Sequence, residues 1–212
     1  MIKAILFDCW GTLFYTKSQP HPAAFFAHKV GKNADDYAFM KIFERNFMTR
    51  KYETLEIPAR NTLLEIGIEA EQSFIKRLSQ DLEKAAGSVE AYPEALSTLK
   101  KLKGKYKLGV LTNTDSLSFE ILEKKFEIGR IFDAVITSYE IGLLKPDDGI
   151  FAAALEKLGT QKNETLMVGD SPEDDVEAAE KFGMRGVLID RRNAYPDYRG
   201  KISSLAELDG FK

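Results

Sequence analysis

Acidic side chains fall directly behind short apolar runs at two places in this chain. Ala4-Ile5-Leu6-Phe7 is followed by Asp8-Cys9-Trp10-Gly11-Thr12, and Leu166-Met167-Val168 by Gly169-Asp170-Ser171-Pro172-Glu173-Asp174-Asp175. A carboxylate at the end of an apolar stretch needs partners or a cation. If the two segments meet, Asp8, Asp170 and Asp175 repel one another unless a positive ion sits among them. Their oxygens suit Mg2+, which takes one or two carboxylates together with water and substrate phosphate. Lys145-Pro146 follows a third apolar run and offers a point charge for phosphoryl oxygens. Leu111-Thr112-Asn113 closes a fourth, where the Thr112 hydroxyl and the Asn113 backbone N–H are neutral donors for the same oxygens.

Whether these groups converge depends on the elements that carry them. Five runs read as strands, Ile2 to Phe7, Leu108 to Leu111, Ala134 to Thr137, Leu166 to Val168 and Val187 to Ile189. None alternates cleanly in polarity, the pattern of strands buried on both faces of a parallel sheet. Helical periodicity fills the gaps over Leu117 to Phe126, Ile150 to Leu158 and Val176 to Phe182, with Gly159 and Gly183 as stop signals. Alternating strand and helix predicts an α/β fold, in which the carboxyl ends of parallel strands share one edge and form the binding crevice. Phe14 to Ala91 breaks the rhythm, with no comparable strand run. Its Phe-rich helical spacing, punctuated by Pro20, Gly31, Pro58 and Gly67, predicts four packed helices inserted after the first strand, the Phe stripe being their core. The expected division is a core domain of residues 1–14 and 92–212 and a helical cap domain of 15–91. A short last helix is expected near Ser204 to Leu208, after a surface loop from Arg191 to Lys201.

Taken in order, the four segments resemble the haloacid dehalogenase (HAD) superfamily. Asp8-Cys9-Trp10-Gly11-Thr12 is similar to its first motif, Thr112 to its second, Lys145-Pro146 to its third, and Gly169-Asp170-Ser171-Pro172-Glu173-Asp174-Asp175 to its fourth. The resemblance implies a Rossmann-like parallel-sheet core and an all-helical cap. It also implies a Mg2+-dependent phosphatase acting on a small phosphorylated molecule. Asp8 would be the nucleophile forming an aspartyl-phosphate. Mg2+ would be held by Asp8, the backbone carbonyl of Trp10, Asp170 and Asp175.

One position departs from the phosphatase pattern. Two residues after the nucleophile those enzymes carry a second Asp as general acid and base; here stands Trp10, whose indole N–H donates a hydrogen bond but does not exchange a proton near neutral pH. Haloacid dehalogenases carry an aromatic residue there, which keeps a 2-haloacid dehalogenase as the alternative reading. They use no metal, replace the acid corresponding to Asp170, and place a Tyr where this chain has Phe151. Their cap supplies a halide-accepting Arg, for which Arg45 and Arg50 are candidates. His21 is a candidate substitute acid, Cys9 reads as a small buried thiol, and Trp10 is a candidate lid over the cleft. A catalytically weak scaffold that binds a metabolite or partner through the cap is the third reading.

Composition narrows the field further. With 30 Lys+Arg against 33 Asp+Glu and a net charge of -3, no basic face is expected, so nucleic acid is not an expected partner. The apolar runs are a handful of residues long, far below the roughly 20 that span a bilayer. A single Cys and no leader-like start lead to a cytoplasmic expectation.

Overall fold

The structure is a computed structural model and describes residues 1–17, 22–33 and 36–210. Strand β1 (Ala4–Phe7) leads into a short strand β2 (Phe14–Thr16) and four helices, α1 (Pro22–Lys29), α2 (Tyr37–Met48), α3 (Glu56–Glu65) and α4 (Gln72–Ala86). Strand β3 (Val89–Ala91) and helix α5 (Ala95–Leu102) return the chain to the sheet at β4 (Lys107–Thr112). Helices α6 (Ser116–Phe126) and α7 (Ile128–Ile131) precede β5 (Ala134–Thr137), and α8 (Ser138–Ile141) and α9 (Asp148–Leu158) precede β6 (Thr165–Gly169). A wide π-type turn (Pro172–Glu177) opens α10 (Ala178–Phe182), which leads to β7 (Arg185–Leu188).

Five strands pair in parallel in the order β5-β4-β1-β6-β7, so the fold is the α/β architecture expected. Both faces of β1 are buried, and its residues divide by the two-residue period of a strand. Ile5 and Phe7 pack with Leu99, Leu102, Phe119 and Leu122 from α5 and α6, whereas Ala4 and Leu6 pack with Phe151, Ala154, Ala179 and Phe182 from α9 and α10. Gly159 and Gly183 end α9 and α10 in left-handed conformations, φ 61° and 98°, as their positions implied.

The inserted helices hold a core of their own. Phe26, Phe43 and Phe47 are fully buried, with Phe43 and Phe47 stacked at 4.1 Å and Phe26 edge-on to Phe43 at 5.5 Å. The Phe stripe is thus packing, and buried rings of this kind are each worth about 3–5 kcal/mol against truncation to Ala. The carboxylate of Asp36 caps α2 by accepting the N–H groups of Ala38 and Phe39 at 2.9 and 3.3 Å.

Three local features depart from expectation. The stretch Phe14 to Ala91, read as free of strands, begins and ends in one: β2 and β3 pair antiparallel with Tyr15 opposite Glu90. Three-residue strands are too short to leave a periodic signal. Helix α5 was not anticipated, and the last element is a 3-10 turn at Leu205–Gly210. Among the described residues no helix is long and apolar enough to cross a membrane.

Candidate active site

The parallel register sets Asp8 one step beyond the last paired residue of β1, where its N–H still donates to Val168 O of β6 at 2.8 Å. Its side chain is buried at the carboxyl edge of the sheet. Oδ1 accepts from Lys145 Nζ at 2.7 Å, whereas Oδ2 is buried with no hydrogen-bond partner. Lys145 Nζ also donates to Asp175 Oδ1 at 2.5 Å. Burial alone would lower the lysine's pKa, but the carboxylates of Asp175 and Asp8 outweigh it and hold the amine charged well above the usual range. The loop bearing Lys145 is pinned by Asn113. Its Oδ1 accepts the Lys145 N–H at 2.8 Å and its Nδ2 donates to Lys145 O at 3.1 Å.

Asp170 and Asp175 reach the same point from the turn after β6. Ser171 Oγ caps the turn by accepting the N–H of Asp174 at 3.1 Å, and Asp175 Oδ2 accepts the Ser171 N–H at 3.1 Å. Two glycines leave room for the acids. A Cβ on Gly11, whose φ is +81°, would lie 2.0 Å from Asp170 Oδ2, and one on Gly169 would lie 2.1 Å from Asp175 Oδ2. Burial pushes Asp175 up to about 6, with Asp8 adding to the effect and Lys145 opposing it. Burial, then Asp8 and Asp175, raises Asp170 well above the carboxylate range.

One oxygen from each of Asp8, Asp170 and Asp175 falls within 4.8 Å of the others. Three carboxylates crowd one lysine that bonds only Asp8 and Asp175 of the three, two resist ionisation, and Asp8 Oδ2 is an orphaned buried acceptor. That donor set fits a hard divalent cation, which would neutralise the excess charge.

A cavity of about 440 Å3 opens above the acids, lined by Asp8, Asp170, Asp175, Lys145, Asn113 and Trp10 among others. Thr112 does not line it. The residue is fully buried, with its Oγ1 3.4 Å from Asn113 O, so the expected neutral donor sits behind the wall. Trp10 is half-buried and turned to the core, its Nε1 donating to Thr114 Oγ1 at 3.0 Å. Cys9 is fully buried, and burial first, then Asp8, pushes its thiol pKa up, so it is inert. His21 lies outside the described residues. Arg45 pairs with Glu65 on the exposed face of the cap, and neither it nor Arg50 lines the cavity; Phe151 is buried in the core against Phe182.

Sequence reasoning passed over the cap's contribution. Glu44 of α2 lines the cavity although it is almost wholly buried. Lys41 Nζ donates to Glu44 Oε2 at 2.9 Å and to both oxygens of Asp174, at 3.1 and 2.9 Å, tying cap to core. Burial raises the Glu44 pKa, and Lys41 opposes the shift without cancelling it. A signal existed: Met40, Phe43, Glu44 and Phe47 share one helical face, and a charge on an apolar face is the anomaly to follow.

The profile of the haloacid dehalogenase-like hydrolases matches residues 2–183. The chain belongs to the haloacid dehalogenase-like hydrolases. Among curated relatives it is 30% identical to a glyceraldehyde 3-phosphate phosphatase of Methanopyrus kandleri, over 93% of this chain and 87% of that one. It is 31% identical to an (S)-2-haloacid dehalogenase 4A of Burkholderia cepacia, over 63% of this chain and 60% of that one. A further glyceraldehyde 3-phosphate phosphatase, from Methanocaldococcus jannaschii, is 39% identical over 55% of this chain, which spans about half (54%) of that relative's length. Of the solved structures, a HAD phosphatase from Thermococcus onnurineus superposes with a TM-score of 0.65 at 26% identity, covering 98% of this hydrolase and 96% of that chain.

Proposed function

We propose that this hydrolase is a Mg2+-dependent phosphohydrolase acting on small phosphate esters through an aspartyl-phosphate on Asp8. The observation that carries this reading is the cluster of Asp8, Asp170 and Asp175, one oxygen of each within 4.8 Å of the others, in which Oδ2 of Asp8 is buried and unpartnered. Asp8, Asp170 and the carbonyl of Trp10 would hold the ion, with Asp175 beside them; bound there, Mg2+ would screen the carboxylates from the phosphoryl group and polarise its oxygens. Lys145 fixes Asp8 through Oδ1 and leaves Oδ2 to attack phosphorus. Its charge meets the phosphoryl oxygens, while Asn113 keeps its loop in place. Asp8 then carries the phosphoryl group until water hydrolyses the mixed anhydride.

Trp10 takes no part in proton transfer, so the core by itself favours leaving groups of low pKa. The relatives named for glyceraldehyde 3-phosphate point to small alkyl phosphates as the class to try first. A 2-haloacid dehalogenase reading draws on the aromatic Trp10 and on the Burkholderia relative. Against it stand the extra charge of Asp170 and a cavity lining that includes neither Arg45 nor Arg50.

The test is phosphate release from p-nitrophenyl phosphate with Mg2+ and with EDTA, beside halide release from L-2-chloropropionate. Expected are Mg2+-dependent phosphate release, no halide, and a fall to background in Asp8→Asn. Metal-independent halide release would replace the reading with the dehalogenase, and no turnover of either kind would leave a binding scaffold.

A further inference from the structure

A phosphohydrolase without an acid beside its nucleophile still has to protonate an alkoxide whenever the ester is unactivated. Trp10 does not serve, and its N–H is already given to Thr114. Among the described residues that line the cavity, the core carboxylates Asp8, Asp170 and Asp175 are taken by the nucleophile and the cation site, and Asp174 is held at both oxygens by Lys41. Asp190 accepts from Lys201 Nζ at 2.8 Å and from the N–H groups of Ala194 and Tyr195. Glu44 is left. It lines the cavity from the cap, with Oε2 held by Lys41 and no hydrogen bond to Oε1 found among the described residues.

We propose that Glu44 is the proton donor to the leaving alcohol. This deepens the phosphohydrolase reading and rests on it. In the first step Asp8 Oδ2 forms a bond to phosphorus, the bond from phosphorus to the alkoxy oxygen breaks, and that oxygen takes the proton of the Glu44 carboxyl. In the second, water attacks the aspartyl-phosphate, releasing phosphate and the Asp8 carboxylate, and its proton restores Glu44. Atoms and charge balance over the two steps without a further reactant.

The surroundings suit the task. The side chain has little contact with solvent, and burial shifts its carboxyl toward the protonated form. Three charged groups act on it: Lys41 from its own helix, Asp174 from the turn after β6 and Lys145 from the core loop. Lys41 bridges Glu44 to Asp174 and so ties it to the turn that also carries Asp170 and Asp175.

The test compares Glu44→Gln with the unaltered protein in Mg2+, on glycerol 1-phosphate and on p-nitrophenyl phosphate, reading kcat/KM because it reports the step in which the alcohol leaves. Expected is a loss of about 100-fold or more on the alkyl ester and of only a few-fold on the aryl ester, whose leaving group needs no proton. Glutamine nearly matches the shape, and the aryl activity reports that the variant has folded. A second measurement needs no variant: alkyl kcat/KM falls as pH rises through the Glu44 pKa, above the ordinary glutamate range, and the aryl profile lacks that limb. Equal losses on both esters, no loss on the alkyl ester, or the same limb in both profiles overturns the assignment of Glu44. An unaltered protein inert toward both esters overturns the phosphohydrolase reading itself.

Discussion

Gly11 occupies the tightest point of the site. Its backbone at φ +81° and the space its missing side chain leaves to Asp170 are both demands that other residues do not meet. Gly11→Ala would drive a methyl group into that carboxylate and turn it from its position beside Asp8. The measurement is thermal melting with and without MgCl2. In the unaltered protein Mg2+ is expected to stabilise by about 2.7 kcal/mol at a hundred times its Kd, and Gly11→Ala to lose that increment. Asp8, Asp170, Asp175 and Lys145 were legible because each follows an apolar run, and a parallel sheet gathers such run ends by geometry. Glu44 was not. Its neighbours Phe43 and Phe47 mark a packing face, and one charge among them is invisible to a reading that averages over periodicity.

Helix α6 shows how an element holds its own end in place. Its cap, Asp115, is fully enclosed and accepts the Ser118 N–H at 2.8 Å. Burial raises the Asp115 pKa despite that bond and the Ser118 hydroxyl. The folded state therefore binds this proton more tightly than the unfolded chain. The stability it contributes is full below the unfolded value of about 3.9, and is lost as pH rises through the folded value. Asp115→Asn keeps an acceptor for the cap and removes the titration. Urea denaturation across that pH window should show a falling stability in the unaltered protein and a flatter profile in the variant. At this scale the five sheet strands were readable, since apolar runs without alternation imply burial on both sides. The ribbon of β2 and β3 and the widened turn at Pro172–Glu177 were not. A strand of three residues fixes its hydrogen bonds through a partner far along the chain, and a π-type turn through spacing that no residue type encodes.

Across the whole molecule, the two clusters that flank the sheet are built without α1 to α4. The cap has its own cluster, joined by Leu117 and Leu144 from the core. It is tied down by Lys41 to Asp174 and by Ser116, whose Oγ accepts the Tyr52 N–H at 3.1 Å and donates to Tyr52 O at 3.2 Å. A chain in which an Asn-Gly turn joins Thr16 to Val89 should therefore still fold. Expected are a cooperative melt at lower temperature, since Leu117 and Leu144 lose their cover, and loss of alkyl-phosphate turnover along with Glu44. Circular dichroism and phosphate release check the two halves, and a molten product would show that the sheet depends on the cap.

The strand pair at the neck brings the outgoing and returning backbone to within one inter-strand spacing, about 5 Å. A segment whose ends already meet can be exchanged, enlarged or pruned by recombination while the layer beneath it stays untouched. On the proposed reading, that would make the choice of alcohol heritable separately from the phosphorus chemistry, because the proposed donor travels with the upper storey and the proposed attacking carboxylate with the lower.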